Sequence, residues 1–364
     1  MQPFVIQNLP IRSLDWEKLS LPIGRANANL SLYNGMLEAI PNPHILLSPM
    51  TTKEAVLSSK IEGTQASLTD VLEFEAGEKN DSKRNDIDEI MNYRRAMFEA
   101  EEMFIERPFI YLNMLKKLHF ILLSGVRGDD KDRGEFRKVQ NYIAPVGTPI
   151  DQATYIPPSP LKALQALDNL EKYINSDVQE TMVQLGFMHA QFELIHPFLD
   201  GNGRMGRMLI PLFLYQKKML KYPVFYLSEY FDKNRDLYYA KLKNISANND
   251  WQGWIEFFLN AVVEQSIINL KKVRSIIEFY EQSKREFQES TRSQFSVCLL
   301  DALFKNPIVN VAIISETTNI EHVSTISNLL TRLVDSGLIS VQRKGRGRLP
   351  TIYKFDSLLK LADS

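Results

Sequence analysis

The chain has 364 residues, 44% of them hydrophobic, with one cysteine and a formal net charge of −1. That length buries a sizeable core in two or three domains, and the near-neutral balance offers no global attraction to nucleic acid or to a membrane surface. The lone Cys298 excludes an internal disulfide, no apolar run approaches twenty residues, and the first residues lack a cationic start with an apolar core, so a cytoplasmic protein that does not span a membrane is expected.

Residues 1–92 read as an N-terminal helical region. Pro3, Pro10, Pro22, Pro41 and Pro43 break its first forty-odd positions into expected short helices and turns. Ser48-Pro49 then signals a helix start, with serine as N-cap, and the helix over 49–62 stops at Gly63. Glu62 falls in its last turn, where a carboxylate meets the negative dipole end at a cost of about 0.3–1 kcal/mol, so a cationic partner is expected. The charged stretch Glu78–Asp88 reads as a solvated loop.

A central body over 93–290 begins with amphipathic helices at Tyr93–Glu106 and Tyr111–Ser124. The stretch opened by Arg133-Gly134-Glu135-Phe136-Arg137 is rich in Pro and Gly and has no helical period. Its runs Val139–Ala144 and Ala153–Ile156 read as two short strands joined by a loop. Helices follow over Leu161–Ile174 and Glu180–Ile195, the second with Leu185, Met188, Phe192 and Ile195 at helical spacing. The chain then enters His196-Pro197-Phe198-Leu199-Asp200-Gly201-Asn202-Gly203-Arg204-Met205-Gly206-Arg207, ahead of an apolar helix over Met205–Lys218.

This turn has the composition of an anion site. Gly201 and Gly203 allow close backbone approach, so successive N–H groups can cup an oxyanion, and the following helix adds free donors and a positive dipole end. Arg204 and Arg207 are neighbours on one face of the first turn and oppose that dipole unless an anion binds. Asp200 supplies a hard oxygen suited to magnesium beside phosphates. His196, held ahead of Pro197 in an expected extended backbone, suits a general base. The glycines also satisfy a dinucleotide fingerprint, but that motif must leave a strand of a βαβ unit and here it leaves a helix. His189, one heptad earlier, is expected to pack beneath the site rather than ligate a metal.

The sequence from His196 to Arg207 resembles the signature of the Fic family, His-x-Phe-x-Asp/Glu-Gly-Asn-Gly-Arg-x-x-Arg, at every defining position. The resemblance implies an enzyme that moves AMP from ATP to a Ser, Thr or Tyr hydroxyl of a protein, itself included. It gives His196 the proton of the target hydroxyl, Asp200 the Mg2+, and Gly201, Asn202, Gly203, Arg204 and Arg207 the ATP phosphates, with Phe198 as a buried anchor. Relatives that phosphorylate instead carry Lys where Gly203 stands. Ser58, Glu62 and Gly63 match the family's inhibitory helix motif, which pairs Glu62 with Arg207 and holds ATP in a poorly reactive pose. The two short strands are similar to the family's flap, where Ala153, Thr154, Tyr155 and Ile156 would dock the target backbone by strand addition. Tyr239 and Leu242 echo positions that line the adenine pocket, and Tyr230 does so more faintly.

Trp251, Trp254, Phe257 and Phe258 form a core stripe, and a polar-faced helix from Ala261 to about Thr291 leaves self-association open. Over 293–364, Phe295–Phe304, Val311–Thr317 and Val323–Asp335 read as three helices. A strand, a basic loop with Arg343, Lys344, Arg346 and Arg348, and a return strand at 351–354 complete a pattern that looks like a winged helix-turn-helix. Its wing could hold DNA phosphates, but the presumed recognition helix offers only Arg332, so a protein contact suits it equally. The expected architecture is all-α: a Fic-type helical core with a small β-hairpin flap and a C-terminal winged helix. The expected function is autoinhibited adenylyl transfer. Hydrolysis of AMP from a target at the same site, and a nucleotide-sensing DNA-binding regulator, are the alternatives.

Overall fold

A computed structural model describes residues 2–78, 81–145, 147–347 and 349–363. The chain is helical, with one small sheet near its C-terminus. α1 (Trp16–Glu38) is capped by the Asp15 side chain, which accepts from Lys18 N–H. A single helix of 23 residues thus replaces the expected short helices and turns. Pro22 within it removes one main-chain hydrogen bond. The helix persists because Leu19, Ala26, Leu30, Tyr33 and Leu37 bury one face, at roughly 25 cal/mol for each Å2 of apolar surface.

α2 (Pro43–Leu46) leads through Leu47 into α3 (Ser48–Ile61), the helix expected over 49–62. Ser48 does not cap it, and its Oγ donates instead to the Lys305 carbonyl at 2.9 Å. α4 (Leu68–Glu75) starts with a full capping box between Ser67 and Asp70. α5 (Arg84–Glu106) begins inside the expected loop, because Ile87 and Ile90 extend upstream the buried face of Tyr93, Ala96 and Met97. Lys79 and Asn80 of that loop lie outside the described residues.

α6 (Leu112–Leu122), α7 (Pro160–Ile174), α8 (Thr181–Ile195) and α9 (Asn202–Gln216) follow. α8 is buried on nearly every side and packs against α7 and α9. After α10 (Ser228–Lys233) and α11 (Arg235–Asn248), α12 (Trp251–Thr291) joins the aromatic stripe and the polar-faced helix into one rod of 41 residues. α1 and α8 pack along its first part, where Trp254 Nε1 donates to the Gly186 carbonyl at 2.8 Å.

The expected hairpin is narrower than two paired strands. Val139–Ala144 and Ala153–Ile156 meet in a single antiparallel bridge, Ile143 with Tyr155. Pro145, Pro149, Pro157 and Pro158 flank it and cannot donate to a longer ladder.

The C-terminal region contains α13 (Ser296–Lys305), β1 (Ile308–Val309), α14 (Val311–Thr317), α15 (Val323–Asp335), β2 (Ser340–Arg343), β3 (Ile352–Lys354) and α16 (Asp356–Asp363). The three helices occur where the periodicity put them, and β1 is an addition. β3 lies between β1 and β2, antiparallel to both, with Ile308 and Ser340 facing Lys354 and Val309 and Val341 facing Tyr353. Among the described residues, no helix is long and apolar enough to cross a membrane.

Candidate active site

α8 ends and α9 begins within seven residues, and the turn between them is fixed from several sides. Asn202 closes it: its Oδ1 accepts from Phe198 N–H at 2.8 Å and its Nδ2 donates to the Phe198 carbonyl at 2.9 Å. Gly201 supplies φ 73°, the left-handed geometry that lets α9 start at once. Phe198 is fully buried and lies face to face with His119 of α6, with ring centres 3.7 Å apart. His119 accepts from Gly134 N–H through Nδ1 and therefore donates through Nε2 to the Asp200 carbonyl, at 2.9 and 3.0 Å. Burial pushes its imidazole down to about 4, so it stays neutral and keeps that tautomer.

His196 caps α8 with φ 48° and ψ 61°, a left-handed conformation instead of the extended one expected before Pro197. A non-glycine residue pays for this geometry, and the surroundings enforce it. The buried Arg137 does so by donating to the His196 carbonyl at 2.9 Å, and also to the carbonyls of Val139, Pro158 and Ile195. Arg137 thus satisfies the exposed end of α8 while tying the flap segment to it. The imidazole of His196 faces a cavity of about 580 Å3 shared with Glu62, Gly203, Arg207, Tyr239 and Leu242. Burial pushes it down to about 4, against the pull of the Glu193 carbonyl and the Glu62 charge, so at neutral pH it is a free base able to accept a proton.

Glu62 reaches the cavity from the end of α3. Its Oε1 pairs with Arg207 Nη2 at 2.7 Å, while Arg207 also donates to Ser58 Oγ and the Ser58 carbonyl at 2.9 and 2.8 Å. Burial alone would raise the Glu62 carboxyl, but the charge and hydrogen bond of Arg207, with the charge of Arg204, hold it below its ordinary value. The carboxylate lies over the first turn of α9, so close that a Cβ added at Gly203 would collide with Oε1. The Arg207 guanidinium beside that turn therefore already holds an anion.

Two models of one family match this chain. "Fic/DOC family N-terminal" matches residues 21–102, and "Fic/DOC family" matches residues 109–214, the second containing the whole turn. The chain belongs to the Fic/DOC family. It is 29% identical over 125 residues to proteins named "Protein adenylyltransferase Fic" from Drosophila mojavensis and Drosophila melanogaster. That match spans 34% of this chain and 23% of each relative, so the chain covers about a quarter of their length. A Fic family protein from Desulfovibrio desulfuricans G20 shares the fold over 98% of both chains, with a TM-score of 0.57 and 18% identity. Fic-1 (residues 134–508) from C. elegans does so over 72% of this chain and 74% of its own, with a TM-score of 0.55 and 17% identity.

Within this Fic/DOC site the structure redistributes several expected roles. Arg204 is fully buried and bonds Glu89 of α5 at 2.8 Å, which ties the turn to α5. The Asn202 side chain is likewise spent on Phe198. Of the flap residues, Ala153 and Ile156 are buried and Tyr155 donates its hydroxyl to the Leu194 carbonyl at 2.7 Å. The cavity wall is completed by Tyr142, Ile143, Ala144 and Thr154, so the first arm of the flap, expected as a strand but not as part of the docking set, contributes as much as the second. Tyr239 and Leu242 line the cavity, whereas Tyr230 is a core residue that accepts from Asn260. His189 packs beneath the turn as expected, between the Gly206 carbonyl and the Tyr238 hydroxyl at 3.1 and 3.0 Å.

His119, Glu89, Arg137 and Glu193 were missed as site residues. His119 left a trace, since it shares a helical face with Leu115, Leu118 and Leu122. Glu193 lines the cavity with a buried, unbonded Oε1, and burial pushes its carboxyl up to about 7.

Proposed function

We propose that the chain is a protein adenylyltransferase that moves AMP from ATP to a hydroxyl of a protein, held inactive by Glu62. The observation that carries this reading is the Glu62–Arg207 pair above the first turn of α9, because it places a carboxylate where the motif chemistry calls for a terminal phosphate. ATP would lay its phosphates against the N–H groups of the 201–204 turn and Arg207, with its base toward Tyr239 and Leu242. The target hydroxyl gives its proton to His196 as its oxygen bonds the α-phosphorus, and the bond to pyrophosphate breaks. Such transfer depends on positioning and charge stabilisation, which a preformed turn supplies without reorganisation. A bound triphosphate would also raise the His196 imidazole toward the range in which it accepts the proton more readily.

A magnesium ion fits this chemistry. Among the described residues no three acidic, histidine or cysteine groups gather as a metal cage. Magnesium needs only one or two carboxylates beside substrate phosphates. Asp200 meets that need: its Oδ1 is fixed by Gly201 N–H at 2.6 Å, and Oδ2 has only a long contact to Lys131 at 3.4 Å. When bound, the ion would neutralise phosphate charge.

The three-part layout of 1–92, 93–290 and 293–364 belongs to the same proposal, with the last part as a winged helix that contacts protein. Arg332 donates to the Thr291 carbonyl, Arg343 pairs with Glu78 at 3.4 Å, and Arg348 lies outside the described residues. These engagements leave Lys344 and Arg346 as the exposed wing cations, which weakens the DNA alternative. Reverse hydrolysis is a second use of the site, favoured by the Glu62 carboxylate facing the cavity beside His196.

Incubation with α-labelled ATP and magnesium should label the chain or a lysate protein. Glu62→Gly should raise labelling on the order of ten- to a hundredfold, the scale of a 1–3 kcal/mol coupling. His196→Ala in either form should abolish it. Equal labelling with and without Glu62 would refute the autoinhibition, and labelling without His196 would refute the mechanism.

A further inference from the structure

A second cavity, about 650 Å3, lies at the head of α3 and is walled by α2, α5 and α13. Its volume falls among those of small-molecule sites, which span about 300–1,000 Å3. The walls are largely apolar and aromatic, with Phe98, Met91 and Tyr222 among them, and Phe98 is 64% exposed at the rim.

The charges around it are unevenly spent. Arg94 is taken by Glu75 at 2.9 Å and Glu99 by Lys117. Glu101 lies 4.0 Å from His44, and burial beside Glu102 pushes its carboxyl up to about 7. Arg95 of α5 and Lys305 of α13 have no acidic partner among the described residues. An open cleft with an apolar floor and two exposed, unspent cations from different helices suits an amphipathic anion: an aromatic or acyl body bearing a carboxylate, sulfonate or phosphate.

The cavity also touches the inhibitory helix. Leu47, Ser48 and Thr51 line it, and Ser48 Oγ is anchored on the carbonyl of Lys305 itself. Glu62 sits at the other end of the same helix. A ligand seated against Leu47, Ser48 and Thr51 would lie on the first turn of α3, beside the Ser48–Lys305 contact that anchors it. We propose that this cavity is an effector site for an amphipathic anion, whose occupancy loosens the head of α3 and withdraws Glu62 from Arg207. The regulatory half rests on the autoinhibition proposed above, and the binding half does not.

The full chain would be titrated with 8-anilinonaphthalene-1-sulfonate, and in parallel with uncharged N-phenyl-1-naphthylamine, which has a similar body. One sulfonate probe should bind per chain and should not be displaced by ATP. Arg95→Gln with Lys305→Gln should weaken it by about tenfold or more, a loss of about 1.4 kcal/mol, while the uncharged probe and the melting temperature stay unchanged. Equal affinity of both probes, displacement by ATP, or an unchanged affinity in the double variant overturns the site. With the probe bound, amide exchange over 48–62 should quicken, and unchanged exchange overturns the coupling. Absence of labelling from ATP would sink the transferase reading while leaving both measurements interpretable.

Discussion

At Gly203 the missing side chain matters because the Glu62 carboxylate fills the space a Cβ would take. The same glycine serves the phosphates in the proposed reaction, so one atom-sized gap is contested by inhibitor and substrate. This makes the two residues energetically coupled in the apo protein. Gly203→Ala alone should destabilise the fold by about 1–3 kcal/mol, because the carboxylate must shift and the buried Arg207 loses its partner. In a Glu62→Gly background the same substitution should cost much less, since the colliding atoms are gone. A double-mutant cycle of denaturant unfolding measures the difference, and additive costs would show that Glu62 does not occupy that place in solution. Legible in the sequence was the geometry set by local chemistry: the glycine turn, and the carboxylate at a helix end that needed a cation and has Arg207. The contacts of Arg204 with Glu89 and of Asn202 with Phe198 were not, because the first partner is 115 positions away and the second depends on the turn already being closed.

Across elements, α3 is held by more than its last residue. Glu54 is buried midway along it, accepting from Ser228 N–H and Oγ–H at the start of α10. Burial pushes its carboxyl up to about 8 from an ordinary 4.5. The folded state therefore holds a proton that the unfolded chain releases, and the stability it provides is complete below about 4.5 and lost progressively as pH rises to about 8. Thermal unfolding of Glu54→Gln, whose amide stays neutral, should lack this slope, so the variant should gain on the wild type across that interval. A constant difference between the two across pH would contradict a protonated Glu54. Element boundaries followed the strength of the apolar period. α7, α14 and α15 were legible to within a residue, whereas α1 was hidden by Pro22, a local breaker that burial along α12 overrides. The flap shows the opposite failure: strand-like composition without the donors for more than one bridge.

At the scale of the whole molecule, the C-terminal sheet is bolted to the N-terminal region. Asn310 Nδ2 donates to the Ala76 carbonyl at 2.9 Å, Gln342 bonds Glu73, and α13 and α16 pack on α3. The segment carrying Glu62 is thus clamped between α5, α9 and α10 and the C-terminal module. Asn310→Ser keeps a side-chain oxygen to cap α14 but removes the donor to Ala76. It should cost about 1–3 kcal/mol and raise amide exchange over 68–77, and protection unchanged there would show the clamp to be incidental. What the sequence determined by itself was the chemistry of one turn and the periodicity of the longer helices, because both follow from residues within a few positions of one another. The tertiary structure decided which arginine faces the cavity, which histidine conformation is tolerated, and what holds α3 in place. Those outcomes depend on partners between 59 and 257 positions away, such as Arg137 for His196 and Lys305 for Ser48, which no local pattern encodes.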